Sequence, residues 1–397
     1  MIHSLKFENF FSFAEETEIS FLMDGRASPN DRSCPSAVLP ERISKVIAVV
    51  GANGAGKTNA IKPLCFLSWF ISKSFFQDTS EEVLINTNFY TQSNNSKFSI
   101  EFEISERLFR YSLEISRKRV SSELLFEKTS RLWSNLFIRE WNPDDEQYDV
   151  TVRNFGLPKK QAEKINEKSS LISAASQFGV ETATLICNYF SNTKTNIRSF
   201  GRQNFAGFSD VISVTSYYQQ NLHHKEQMAR LLKEWDFGLK DIVIENFKNV
   251  GPDGKEYEIA MPHGIHEHGD RRVKIPLAAE SSGTQAAYYL LTKLLPVLEH
   301  GGTVVYDELE GDLHPLMLEP ILALFFNPKT NPKNAQIIFT THSLEILNDL
   351  QKCQILLVEK NEGLSEAWKL SDMEGVRSDD NFYAKYMAGT YGAVPQF

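Results

Sequence analysis

The chain has 397 residues, with 42% hydrophobic and 23% charged side chains and a formal net charge of −9. This length gives room for two or three domains' worth of core. The acidic balance argues against a protein that coats nucleic acid indiscriminately, and no apolar run is long enough to span a bilayer.

In chain order, residues 1–23 predict a hairpin: Ile2 to Phe7 alternate, the chain bends around residues 9–12, and Thr17 to Phe21 return. This start lacks the layout of a signal peptide. Residues 24–40, rich in Gly, Pro, Ser and Asp, predict a loop. The apolar run Ile43 to Val50 then leads into Gly51-Ala52-Asn53-Gly54-Ala55-Gly56-Lys57-Thr58, followed by Asn59 and a helical pattern ending near Phe76. Glycines let such a loop curl so that several N–H groups point at a polyphosphate, and the helix N-terminus adds to the anion site. Lys57 brings positive charge to the outer phosphates and the Thr58 hydroxyl can ligate Mg²⁺.

Alternating runs at 97–104, 109–115 and 123–127 predict an antiparallel meander. Residues 158–235 turn helical, at 161–177, 180–191 and 225–235, too short and irregular for a long coiled coil, and read as a compact helical insert. Strand character returns at 242–244 and 257–259. From residue 303 onward strands alternate with helices, the signature of a mostly parallel sheet. The cysteines Cys34, Cys65, Cys187 and Cys353 lie far apart without metal-ligand spacing and read as reduced thiols of a cytoplasmic protein.

Three further patterns point to nucleotide chemistry. Thr303 to Tyr306 form an apolar strand ending in Asp307 and Glu308. In a phosphate-loop enzyme the first acid holds Mg²⁺ and the second polarises the attacking water as a general base. Upstream, Glu280-Ser281-Ser282-Gly283 opens a helix, which reads either as a simple cap or as a second anion site. Thr340-Thr341-His342-Ser343 ends another apolar strand, where His342 can sense the γ-phosphate. Residues 309–315 follow the acids and would cross a dimer seam.

In this order the motifs resemble the ABC-type P-loop ATPases of the RecF/SMC branch. The opening Phe7-Glu8-Asn9-Phe10-Phe11-Ser12-Phe13 is similar to that branch's start. Asp307-Glu308-Leu309-Glu310 with Leu313-His314-Pro315 resembles the OLD-like group. Tyr386-Met387-Ala388-Gly389-Thr390-Tyr391-Gly392-Ala393-Val394-Pro395 resembles the tail of AbiLi/RloA-type abortive-infection ATPases. The resemblance covers roughly residues 1–130 and 240–397.

It implies an α/β ATPase head, a mixed, mostly parallel sheet with flanking helices, carrying an antiparallel β lobe and a helical insert. Residues 1–150 and 239–397 would form the two parts of the head and 151–238 the insert. The resemblance further implies ATP held by Asn53, Gly54, Ala55, Gly56, Lys57, Thr58 and Asn59, and Mg²⁺ on Thr58 and Asp307. Glu308, Lys57 and His342 would be the catalytic set, and Ser282 and Gly283 would act in trans across an ATP-sandwich homodimer, with larger assemblies left open. The expected role is a cytoplasmic sensor or scaffold subunit of an anti-phage system, answering a phage-derived trigger and controlling a separately encoded effector, a nuclease, without membrane contact. The alternative is a RecF-like repair ATPase that binds DNA; a transporter ATPase is a distant third reading.

Ser282 stands where the transporter-type signature has Gly, and the usual Q-loop glutamine has only Gln77 and Gln92 as candidates. The His263-Gly264-Ile265-His266-Glu267-His268 stretch reads as an exposed turn, with metal binding as the alternative. His223-His224 reads as a solvated helix end. Basic clusters at 117–119, 194–202 and 271–274 read as solvated faces. The middle one, interleaved with Phe200 and Phe205, keeps nucleic acid open as a partner.

Overall fold

The computed structural model describes residues 1–25, 32–78, 80–198, 201–203, 208–235, 237–250 and 256–395. Its centre is a six-stranded sheet in the order Lys194–Thr195, Thr303–Tyr306, Gln336–Thr340, Val46–Val50, Ile355–Asn361, Leu364–Lys369. All neighbours run parallel except the final hairpin pair. Val46–Val50 is buried at every position, as a parallel strand covered on both faces requires, which is why its sequence is apolar throughout.

Successive residues of these strands face two different cores. Ile47, Val49, Val305, Ile338 and Leu356 join one, and Val46, Ala48, Val50, Val304, Ile337 and Phe339 join the other. In register, Tyr306, Phe339 and Ala48 lie side by side, and Thr340 pairs with Val49. The carboxyl ends of three strands therefore converge, delivering the phosphate loop, Asp307-Glu308 and His342 to one edge, where ligands of open α/β sheets bind.

The N-terminal hairpin and the meander form one seven-stranded antiparallel sheet. It gains two strands the sequence reading lacked, Trp133–Asn142 and Gln147–Val152. The first hides a fully buried Arg139, 3.5 Å from Glu123 and donating to the carbonyls of Ile165, Asn166 and Ser169. A charge facing inward breaks the alternation that marks a strand. Part of the expected loop at 24–40 is also a short hairpin, Ser33–Pro35 with Arg42–Ser44; residues 26–31 lie outside the described residues.

The helices read as one compact insert divide instead between the two cores. Leu171–Gln177 and Glu181–Ser191 pack on the phosphate-loop helix Lys57–Lys73. Leu222–Glu234 and an unanticipated helix, Phe208–Gln220, pack on Ser282–His300. Residues 163–170 are not helical. The histidine-rich stretch is not a turn either. His263, His266 and His268 belong to the strand Glu256–His268, the middle of a three-stranded antiparallel sheet. His266 pairs with Glu280 at 2.7 Å, and among the described residues no cluster of three or more His, Cys, Asp or Glu side chains is placed to hold a metal ion. His224, expected in solvent, is buried between the Tyr217 hydroxyl and Glu299 (2.7 Å).

Candidate nucleotide site

The phosphate loop is shaped by glycines that tolerate no side chain. A Cβ on Gly51 would lie 2.1 Å from the Val358 carbonyl oxygen, and Gly56, at φ 109°, would drive one to 2.4 Å from Ser365 Oγ. Ser365 Oγ donates to the Ala55 carbonyl (2.6 Å) and lies 2.8 Å from Ser12 Oγ, which accepts from Asn59 Nδ2 (3.0 Å). The opening motif thus braces the loop from outside. Its Asn9 holds residues 88–95 through bonds to Asn88 N, Ser93 O and Asn95 O.

Within the loop, Lys57 Nζ donates to the carbonyls of Gly51 (2.9 Å) and Ala52 (3.1 Å). Burial holds its ammonium below the usual lysine range, against the opposing pull of Glu308, Asp307 and Glu310. Thr58 Oγ1 stands 2.9 Å from both carboxylate oxygens of Asp307. Thr340 Oγ1 donates to Asp307 Oδ1 (2.7 Å) and accepts the Glu308 N–H (2.7 Å). Asn196 grips the Asp307 backbone from both sides, donating to its carbonyl and accepting its N–H, each at 2.8 Å.

Glu308 sits at φ 51°, a left-handed conformation rare for a side-chain-bearing residue. One carboxylate oxygen lies 2.6 Å from an Arg202 guanidinium nitrogen and the other 3.9 Å from His342 Nε2. The His342 backbone N–H donates to Glu310 at 2.6 Å. A cavity of about 250 Å³ is lined by the phosphate loop with Asn59, Asp307, Glu308, Thr340, His342 and Lys360.

Lys57, Thr58, Asp307, Glu308 and His342 therefore share one cavity, and the hydroxyl of Thr58 and the carboxylate of Asp307 stand together there, oxygen donors of the kind that suit a hard cation such as Mg²⁺. Ser282 and Gly283 do not line it. Ser282 is exposed at the first turn of Ser282–His300, and Ser281 Oγ caps the Thr284 N–H at 3.1 Å. A Cβ on Gly283 would lie 3.3 Å from the Asp312 carbonyl, so this turn abuts the loop that follows the acids. Gln77, a Q-loop candidate, donates instead to the Glu82 carbonyl beyond the far end of the phosphate-loop helix.

Sequence reasoning missed Asn196, Arg202, Thr340 and Lys360. Arg202 and its hairpin neighbour Arg198, read as part of a basic face, are engaged with Glu308 and Gln203 respectively. Phe200 and Phe205, the aromatics of that reading, lie outside the described residues. The C-terminal segment also borders the loop: Tyr386, Met387, Val394 and Pro395 wall a cleft of about 1110 Å³ that shares Asn53, Gly54 and His342.

A glycine-shaped loop between strand and helix, with a threonine–aspartate pair and a following glutamate at adjacent strand ends, defines a P-loop ATPase fold. Residues 46–348 match the family described as "AAA domain, putative AbiEii toxin, Type IV TA system", and the chain belongs to that family. Among solved structures, it is similar to the SMC head domain from Thermotoga maritima, at 14% identity and a TM-score of 0.44, over 93% of this chain and 98% of that one. It is also similar to an SMC head bound to the C-winged helix domain of ScpA, at 13% identity and a TM-score of 0.45, over 92% and 96%. No curated protein matches the chain. Among the described residues no helix is long and apolar enough to cross a membrane.

Proposed function

We propose that this chain binds and hydrolyses ATP as the regulatory subunit of an anti-phage system, a sensor or scaffold whose nucleotide state controls a separately encoded effector, a nuclease. The observation that carries the reading is the Lys57–Thr58–Asp307–Glu308 constellation in one cavity. The family description, which names a toxin of a toxin–antitoxin system, supports the cellular setting.

In this reading the loop N–H groups and Lys57 hold the β- and γ-phosphates. Thr58 and Asp307 would hold Mg²⁺, which supplies charge neutralisation at the phosphate oxygens. Glu308 accepts a proton from the water whose oxygen bonds to the γ-phosphorus, and the bond to the ADP oxygen breaks. His342 faces the same group from the next strand end. The first-turn N–H groups at the exposed N-terminus of Ser282–His300 would reach the γ-phosphate of a second copy, so that ATP closes a dimer and its hydrolysis opens it.

The test is protection from phage by the chain expressed with its neighbouring genes. Lys57→Ala should abolish protection, and the effector should co-purify with the wild-type chain. Protection by the chain alone, unaffected by Lys57→Ala, would overturn the reading.

A further inference from the structure

We propose that Arg202 is a clasp on Glu308, a positioning residue that restrains the general base. The inference rests on the reading of Glu308 as that base.

Arg202 lies on the two-residue strand Gly201–Arg202, paired with Ile197–Arg198. The hairpin hangs from Lys194–Thr195, the edge strand beside Thr303–Tyr306, and Asn196 between them is bonded to Asp307. The hairpin is thus anchored to the strand end that carries Glu308. Arg198 Nε donates across it to Gln203 Oε1 at 2.9 Å, holding its shape.

The Glu308 backbone is fixed by the Thr340 hydroxyl and by its left-handed φ, so freedom at this position resides in the side chain. That side chain is held by the guanidinium at 2.6 Å. A charge-assisted hydrogen bond of this kind engages one carboxylate oxygen and fixes the direction of the side chain, so the clasped carboxylate is not free to turn to a water at the γ-phosphate. Turnover then requires the clasp to loosen. The segment that controls loosening comes from the 194–203 hairpin and not from the phosphate loop, which gives a partner bound to that part of the molecule a route to the chemistry.

Both side chains are about a third exposed, 33% and 39%, so the pair can be broken without leaving a buried charge, and the variants should fold. Steady-state ATP turnover of the full chain with Mg²⁺ tests the proposal. Arg202→Ala should raise kcat roughly two- to fivefold at unchanged KM. Arg202→Lys should return it towards wild type, and Arg198→Ala should give a smaller rise. A kcat that is unchanged or lower in Arg202→Ala, or a rise that lysine does not reverse, would overturn the clasp. Wild-type turnover that survives Glu308→Gln would instead overturn the assignment of the base. A silent wild type with an active Arg202→Ala would support the clasp, and silence in both would end both readings.

Discussion

Replacing Asn196 with alanine tests how the strand end that carries Asp307 and Glu308 is held. Asn196 is 3% exposed and satisfies both backbone groups of Asp307, each at 2.8 Å. Its removal strands a buried N–H and a buried C=O, each costing about 1–3 kcal/mol. A water admitted to the vacated space recovers part of this, leaving an expected loss of about 2–4 kcal/mol. Asn196→Asp keeps an acceptor for the N–H but sets an oxygen against the Asp307 carbonyl, and should lose at least as much. Urea unfolding measures the loss as a lowered midpoint at constant slope. Calorimetry of nucleotide binding with and without Mg²⁺ measures the displacement of Asp307: the Mg²⁺-dependent increment should fall while Mg²⁺-free binding persists. Midpoints for both variants within about 0.5 kcal/mol of wild type, with the increment intact, would refute the reasoning.

Two further outcomes are expected. Burial pushes the Glu103 carboxyl up, but hydrogen bonds from His3, Ser36 and the Ala37 N–H outweigh it and take the group from 4.5 to about 2. Because the folded value is the lower one, its contribution to stability is present above the unfolded value and is lost as pH falls from about 4.5 towards 2. Glu103→Gln should therefore be less stable at neutral pH and flatter across that acid window in urea midpoints, and an unaltered pH profile would contradict the assignment. Ser282→Arg, on the exposed helix start, should leave nucleotide affinity at the phosphate loop unchanged while slowing turnover; a parallel loss of nucleotide binding would remove its role in trans.

What the sequence disclosed and what it concealed divide along a physical line. The phosphate loop is legible because its chemistry is local: eight consecutive residues supply the glycines, the lysine and the threonine. Asp307 and Glu308 are legible as the end of an apolar strand, and the register that sets them beside Thr340 follows from that strand's parallel pairing. Asn196 and Arg202 are not, because their roles exist only through partners more than a hundred residues away in sequence. Arg202 resembles any solvated cation until the fold brings it to Glu308. The strand Trp133–Asn142 was obscured by Arg139, whose buried charge is compensated by carbonyls at residues 165–169. His263 and His266 looked like loop residues because Pro262 and Gly264, residues that favour turns, stand beside and between them in a strand that continues through both. There Gly264 admits the Glu280 carboxylate, 2.3 Å from where its Cβ would lie.

The central claim is that two copies of the chain close on ATP. Sedimentation or light scattering of Glu308→Gln with and without Mg²⁺–ATP tests it most directly. The account predicts a monomer that becomes a dimer on ATP addition, reversed with ADP and blocked by Ser282→Arg. A mass that ignores ATP while nucleotide is demonstrably bound would contradict it.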